Sequence, residues 1–263
     1  MFDDNPAALR FGDLEVRIGD DYVAEVELQR PPNNFFDVPL ISAIADAFIT
    51  LDGEDSVRCI VLCSQGKHFC AGAYFREGET GPRGGSEDLY GEAVRLFQTS
   101  KPIVAAVQGG AIGGGLGLAC SADFRVGAPE SRFTSNFAQL GFHHGFGLTL
   151  TLPALVGRQR ALELMYTGAR IGGERAFQIG LLDRLVPADE IRPAARVLAR
   201  EIATSAPLAV QSIRATMRGE LAEAFRAATR HESTEQIRLR QTADFQEGIS
   251  ASAQRRAPVF QGR

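Results

Sequence analysis

The sequence lacks the usual marks of a disulfide scaffold or a metal protein. Its four cysteines, Cys59, Cys63, Cys70 and Cys120, lie in apolar runs, and no Cys-x-x-Cys pair occurs. This pattern disfavours zinc and favours reduced, buried thiols in a cytoplasmic protein. There is also no His-x-x-His or carboxylate cluster at metal-ligand spacing, so we expect no metal.

Charge and hydrophobic runs exclude further classes. The 263 residues carry a formal net charge of −4 and no basic block, which argues against nucleic acid or an anionic membrane as a partner. No run approaches the roughly 18 apolar residues of a membrane span. Residues 1–20 hold five acidic groups and no apolar segment, so we expect no signal peptide. With 44% hydrophobic residues, the chain is expected to form one large domain, alone or with a small appendage.

The most informative stretch runs from Lys101 to Gly117. The apolar residues Ile103 to Val107 predict a buried strand, and six glycines follow between Gly109 and Gly117. The run from Leu116 to Ala122 has helical length. The pattern therefore predicts a strand, a glycine turn and a helix start, whose free N–H groups face an anion or a group that becomes anionic.

Two common functions of a glycine-rich turn do not fit this sequence, and a purely structural role stays open. A P-loop needs Lys-Ser or Lys-Thr after the glycines, and none is present. A dinucleotide fingerprint needs Gly-x-Gly-x-x-Gly, of which Gly115-Leu-Gly117 supplies only the first half. A turn that serves packing alone remains the structural alternative.

Three ordered blocks resemble the crotonase, or enoyl-CoA hydratase/isomerase, superfamily. KPIVAAVQGGAIGGGLGLACSADFRVG is similar to its central signature, HFCAGAYF to its FxAGAD block, and DFQEGISASAQRRAPVFQGR to its C-terminal tail. The resemblance covers nearly the whole chain. It implies an α/β fold, a spiral of ββα units over residues 1–200, followed by an α-helical trimerisation region over residues 201–263. It further implies a homotrimer or dimer of trimers and an acyl-CoA substrate, with coenzyme A entering as part of the substrate and no other cofactor.

Periodicity predicts the individual elements. The C-terminal helices should expose apolar side chains that need a partner surface: Leu208, Val210, Ile213, Leu221 and Phe225. The polar, glycine-rich residues 80–85 are expected to form a mobile loop. Strands are predicted over 14–18, 23–28, 58–63, 124–126, 132–134 and 181–186; helices are predicted over 38–51, 88–99, 150–156, 159–166, 174–179 and, with a break near 205–207, 191–249.

The resemblance assigns a site by position. The backbone N–H groups of Ala73 and Gly114 would polarise a thioester carbonyl and stabilise the enolate oxyanion, a task that needs aimed donors and small neighbours. The residues implied to contact substrate are Asn34, Ala71, Gly72, Gly113, Phe137 and Arg256.

The acid/base positions depart from the resembled family. Gly117 and Phe137 stand where its hydratases carry glutamates, and neither can move a proton. Each general acid or base typically contributes 10²–10⁴-fold, so ordinary hydration by that pair is not expected. Tyr74 replaces the Asp of the AGAD block. Gly145 stands where the chlorobenzoyl-CoA dehalogenase branch has its nucleophilic Asp, so dehalogenation is not expected either.

The remaining proton carriers are few. His144, in a glycine-rich loop, is the candidate acid or base, and a hydrogen-bonded structural histidine is the alternative. His143 is a weaker candidate, and His68 is expected to be structural. Glu77 and Glu79 are expected to be solvated loop charges.

Three functions remain open from sequence. The first is an acyl-CoA enzyme of the hydratase/isomerase kind that keeps the oxyanion hole and uses a non-standard base. The second is another thioester reaction on the same hole, such as hydrolysis, carbon–carbon cleavage or decarboxylation, the last needing the least proton machinery. The third is a non-catalytic subunit that binds CoA thioesters. Fold alone does not choose among them.

Overall fold

The computed structural model describes residues 9–73 and 86–263, with the side chains of residues 86 and 87 excepted. The predicted mobile loop at residues 80–85, together with Tyr74, Glu77 and Glu79, lies outside the described residues. Strands and helices alternate through the first part of the chain, and helices alone follow from Ile191. The α/β class with a helical C-terminal region is therefore confirmed.

The strands are β1 (Leu9–Phe11), β2 (Leu14–Ile18), β3 (Val23–Leu28), β4 (Cys59–Ser64), β5 (Ile103–Val107), β6 (Gly110–Ile112), β7 (Phe124–Gly127), β8 (Arg132–Thr134), β9 (Arg170–Gly172) and β10 (Arg184–Leu185). The helices are α1 (Val38–Asp52), α2 (Ser86–Arg95), α3 (Gly114–Ser121), α4 (Leu148–Val156), α5 (Arg158–Thr167), α6 (Gly173–Gln178), α7 (Ile191–Ala203), α8 (Pro207–Arg218), α9 (Leu221–Leu239) and α10 (Ala243–Ala253).

Within the described residues the strands form two sheets. The larger has the order β1-β2-β3-β4-β5-β7-β10, antiparallel from β1 to β3 and parallel from β3 onward. The smaller has the order β6-β8-β9. Strand β6 begins three residues after β5 ends, so the chain passes from one sheet to the other inside the glycine-rich stretch.

The large sheet is buried on both faces. Every residue of β3, β4 and β5 is buried, as parallel strands covered on two sides require. In β4, Ile60 and Leu62 belong to the core shared with α1, whereas Val61 faces Ala195 and Ala199 of α7. This period of two follows from the pleat of a strand.

Helix α1 shows how sequence sets an element boundary. The Asp37 side chain accepts a hydrogen bond from the Leu40 N–H at 3.1 Å, which caps the first turn. A Pro in the first turn costs no helical hydrogen bond, since those N–H groups lack an intrahelical acceptor.

Several predicted elements need correction. The helix expected over 88–99 begins at Ser86 and ends at Arg95, and the strand expected over 181–186 is reduced to Arg184–Leu185. Phe225, predicted to be exposed, is fully buried and stacks on Phe97 with ring centres 4.1 Å apart. Its helix, α9, folds back onto α2, so this aromatic ring serves the core of its own chain.

The cysteines and two apolar side chains of the C-terminal helices lie as predicted. All four cysteines are buried and free, and burial raises the pKa of the Cys120 thiol to about 11. Leu208 and Ile213 are largely exposed. Among the helices described, none has the length and apolar character that crossing a bilayer requires.

Candidate functional site

Two turns that are about 40 residues apart in sequence lie side by side. A parallel bridge joins Cys70 to Ala111, and the Ile112 N–H donates to the Cys70 carbonyl at 3.1 Å. Gly115 packs so closely on that carbonyl that a Cβ there would overlap it. Gly72 has a φ of +103° and lies against the Ile112 carbonyl. Glycine at these two positions therefore allows the turn at 71–73 to contact the turn at 113–115.

Each turn ends in a backbone donor. Gly114 is the first residue of α3, so its N–H has no acceptor within the helix. Among the described residues, the Ala73 N–H also has no acceptor, because the neighbouring bridge uses the Phe36 N–H and the Gly72 carbonyl at 3.0 Å. Both residues line one cavity of about 560 Å³. The arrangement can bind an oxygen that carries, or develops, negative charge.

The cavity wall is mainly apolar and aromatic. Predicted substrate contacts Ala71, Gly72, Gly113 and Phe137 all line it. Phe36 lines it as well, and its ring covers Gly114 so closely that a Cβ on Gly114 would contact the ring carbons. An apolar wall next to unpaired N–H groups lowers the local dielectric and strengthens their interaction with an anion.

Aromatic side chains occupy the places of the expected glutamates. A Cβ on Gly117 would lie 2.7 Å from the Cβ of Phe146 and 2.9 Å from its carbonyl oxygen. Phe137 is buried and presents its ring to the cavity. The described cavity wall contains no carboxylate and no imidazole.

A polar cluster from two helices forms part of the wall. Tyr90 of α2 donates to Gln236 Oε1 at 3.1 Å, and Arg240 Nη2 donates to the same oxygen at 3.1 Å. Gln236 Nε2 donates to the His143 carbonyl at 3.0 Å, which fixes the orientation of the amide. A Cβ on Gly145 would overlap both Tyr90 and Gln236. The cluster therefore takes the space of a side chain at position 145.

Burial controls the protonation of this cluster. Burial raises the pKa of the Tyr90 phenol, so the group is neutral and can donate at neutral pH. Burial lowers the pKa of Arg240 from its usual value, yet a guanidinium remains charged near neutrality.

Glu232 holds the loop that carries His143 to Phe146. Its carboxylate, fully buried, accepts from the N–H groups of Gly147 at 2.8 Å and Thr149 at 3.1 Å, and from the Thr149 hydroxyl at 2.5 Å. These donors belong to the N-terminus of α4, so a side chain of α9 supplies the cap that Gly147 cannot. Burial raises the pKa of Glu232, while these hydrogen bonds oppose the rise.

His144 lies outside the cavity wall. It is buried, its ring packs on Phe137 with centres 5.1 Å apart, and its Nε2 lies 3.3 Å from the Ser135 carbonyl. Burial lowers the pKa of His144 to about 4. The imidazole is neutral, as expected, but Phe137 rather than His144 faces the cavity. This placement argues against the predicted role as acid or base.

Two predicted substrate contacts also lie elsewhere. Asn34 is fully buried, and its Nδ2 donates to the carbonyls of Gln65 at 2.6 Å and His68 at 2.7 Å. Its side chain joins loops and does not line the cavity. Arg256 pairs with Glu247 at the surface and does not line the described cavity either. Both side chains already have partners within the protein.

Two further expectations concern His68 and a metal site. His68 Nδ1 accepts from the Gly110 N–H at 2.9 Å, as a structural histidine would. In residues 9–73 and 86–263, no group of three His, Cys, Asp or Glu side chains is positioned to hold a metal ion.

Sequence reasoning missed Tyr90, Gln236, Arg240 and Glu232. None lies in the blocks that carry the resemblance, and Tyr90 and Gln236 meet across 146 residues of chain.

Comparison with known proteins gives the family. The profile described as enoyl-CoA hydratase/isomerase matches residues 19–263. A carnitinyl-CoA dehydratase of Salmonella typhi is 32% identical over 249 residues, which cover 92% of this chain and 95% of that protein.

Solved structures agree with this result. An enoyl-CoA hydratase/isomerase from Pseudoalteromonas atlantica T6c is similar with a TM-score of 0.83 and 26% identity, over 95% of this chain and all of that one. An enoyl-CoA hydratase from Mycobacterium avium subsp. paratuberculosis K-10 gives 0.82 and 26%, over 96% of this chain and all of that one. The chain therefore belongs to the crotonase, or enoyl-CoA hydratase/isomerase, family.

Proposed function

We propose that this protein binds an acyl-CoA thioester and stabilises its enolate in an oxyanion hole made by the N–H groups of Ala73 and Gly114. The observation that carries the proposal is that two backbone donors without protein acceptors belong to residues lining one apolar cavity. The family and the carnitinyl-CoA dehydratase relative support a CoA thioester as the ligand.

The physical reason is the change of charge during reaction. The thioester carbonyl is neutral in the substrate, whereas the enolate oxygen is anionic, so fixed donors stabilise the transition state more than the ground state. Gly114 also places the positive end of the α3 dipole at the same oxygen.

Proton transfer in this site is of a non-standard kind. The described cavity wall offers Tyr90 as a neutral phenol, but neither a carboxylate nor an imidazole. A phenol with a raised pKa stays protonated at neutral pH, so it is a weak acid and cannot serve as a base. Its single O–H is donated to Gln236 Oε1, so Tyr90 donates to bound substrate only by leaving that acceptor.

The same observation favours a second candidate reaction. When decarboxylation generates the enolate, the bond to the departing CO₂ supplies the electron pair, and no base is needed to form the enolate. A cavity wall rich in donors and poor in bases suits such a reaction. We therefore place it beside hydration and isomerisation as a reaction of the same oxyanion hole.

A matched pair of variants tests the hole. Gly114→Ala and Gly114→Pro both bring carbon against the ring of Phe36, but only proline removes the N–H, and proline is tolerated at the first position of a helix. The assay is turnover of a panel of acyl-CoA thioesters, with products identified by mass spectrometry. Loss of one donor typically costs 10²–10³-fold in kcat.

The outcomes separate the candidate functions. Activity retained in Gly114→Ala and lost in Gly114→Pro supports the hole, and near-wild-type activity in Gly114→Pro contradicts it. Water addition marks a hydratase, turnover without water addition marks the second candidate, and thioester binding without turnover marks a non-catalytic subunit.

A further inference from the structure

Arg240 brings a positive charge to the cavity wall and has no anionic partner among the described residues. Its Cζ lies 5.6 Å from the centre of the Phe142 ring, and its only hydrogen-bond partner in the described chain is the neutral Gln236 amide. Its Nε is buried and has no acceptor. None of the carboxylates in the described ranges forms an ion pair with this guanidinium. A partly buried cation without a counter-charge is costly, so the position indicates an external anion.

The guanidinium is also held in a defined orientation. Gln236 Oε1 accepts from both Tyr90 and Arg240, while Gln236 Nε2 is used by the His143 carbonyl. One N–H of Nη2 is thereby fixed, and the second N–H of Nη2 and those of Nη1 stay available. A planar fork of this kind matches a carboxylate in a bidentate manner.

Two aromatic rings lie between Arg240 and the oxyanion hole. A Cβ on Gly113 would lie 3.7 Å from the Phe137 ring, and Phe137 packs on Phe142 with centres 5.2 Å apart. Arg240 then covers Phe142. A ligand that starts at the hole therefore passes an apolar wall before it meets a cation.

We propose that the substrate's acyl group ends in an anionic oxygen group, a carboxylate, that pairs with Arg240. This inference rests on the proposed function, because it places the thioester of the same molecule at Ala73 and Gly114. Short methylene chains suit the two rings, and the terminal carboxylate suits the guanidinium. The substrate class is then a dicarboxylic acyl-CoA, or monothioester of a diacid. A phosphate of coenzyme A offers the same chemistry to Arg240 and is the competing source.

Length-matched ligands test the proposal. Succinyl-, glutaryl- and adipyl-CoA are compared with butyryl-, pentanoyl- and hexanoyl-CoA by calorimetric titration, and all six acyl groups are repeated as pantetheine thioesters, which lack the nucleotide phosphates. The wild-type protein should bind at least one diacid thioester about tenfold or more tightly than its uncharged match, as a charge-assisted hydrogen bond provides. The preference should persist in the pantetheine series.

The variants separate Arg240 from its surroundings. Arg240→Gln should abolish the preference while leaving the affinity for uncharged thioesters within about twofold, and Arg240→Lys should retain part of it. Arg238 lies on the same helix, is exposed and pairs with Glu235, so Arg238→Gln should behave as the wild type. Melting temperatures of all variants show that the folds compared are intact.

Other results overturn the proposal. If Arg240→Gln weakens all CoA esters equally and no pantetheine ester, the guanidinium binds a phosphate of coenzyme A. If the wild-type protein shows no preference for any diacid thioester, Arg240 does not bind a carboxylate of the acyl group. If wild type binds no thioester at all, the proposed function itself fails, which is a different result from the first two.

Discussion

The side chain of Phe146 fills the space beside Gly117. A Cβ at residue 117 would come within 2.7 Å of the Phe146 Cβ and 2.9 Å of the Phe146 carbonyl oxygen, closer than real carbon contacts. Residue 117, the position to which the resemblance assigns a glutamate, is thus closed by packing against Phe146.

Restoring the glutamate should therefore fail. Gly117→Glu should not create hydratase activity, and it should lower the free energy of unfolding by about 2 kcal/mol or more, since the core must be overpacked. The matched control is Gly91→Ala at an exposed position of α2, where a Cβ meets nothing within 4 Å and a small gain in stability is expected. Denaturant unfolding measures both, and an unchanged stability of Gly117→Glu would contradict the packing argument.

Hydration of crotonyl-CoA should be slow in the wild-type protein. Each general acid or base typically supplies 10²–10⁴-fold, and the described cavity wall holds neither a carboxylate nor an imidazole. We expect a rate at least about 10²-fold below that of a hydratase with two glutamates measured in parallel. A comparable rate would mean that a proton carrier reaches the substrate from outside the described wall.

Glu232 should be essential to the site loop without contacting substrate. Glu232→Gln replaces an acceptor oxygen by a donor that faces the N–H groups of Gly147 and Thr149. Unpairing buried donors costs about 1–3 kcal/mol each, so the melting temperature and the activity should fall together. Glu235→Gln, one turn along α9 and paired with Arg238 at the surface, should change neither. An unaltered melting temperature in Glu232→Gln would show that the carboxylate does not cap α4.

Part of the site could be predicted from sequence because it is local. The donors of Ala73 and Gly114 lie in two contiguous blocks, and the backbone geometry of each block depends on its own glycines. Tyr90, Gln236 and Arg240 could not be predicted, since α2 and α9 meet only through tertiary packing. His144 was predicted to face the ligand because its loop follows the strand that, in the resembled family, brings the second glutamate to the thioester. In the structure its ring packs on Phe137 and lies outside the cavity wall.

In the fold, too, local elements could be predicted from sequence, whereas the contacts between distant elements could not. The strands around the glycine-rich stretch agree with their hydrophobic runs, because both faces of the sheet are buried. Phe225 was predicted to be exposed on a helix that needs a partner, yet that partner is α2 of the same chain. Periodicity identifies an apolar face, but it does not say which surface covers it.

The exposed face of α8 should be an interface between copies of this chain. Ile213 and Met217, one turn apart, are 63% and 82% exposed, and the family resemblance implies a trimer at the helical C-terminus. Sedimentation at micromolar concentration should give a trimer or hexamer of the 28.4 kDa chain. Met217→Glu should dissociate it, whereas Met217→Leu, which keeps an apolar side chain, should not. A wild-type monomer would rule out this interface.

His144 should make stability depend on pH in a way that reveals its role. Its pKa is lowered by burial from 6.5 to about 4, so between these values the unfolded state binds a proton that the folded state does not. Unfolding free energy should therefore fall as pH falls from 6.5 to 4, by about 3 kcal/mol at most. Glu232, whose pKa is raised, contributes with the opposite sign. His144→Gln, which can still donate to the Ser135 carbonyl, should flatten the dependence and keep the rate per folded molecule. A fall of about 10²-fold in kcat at unchanged melting temperature would instead make His144 an acid or base.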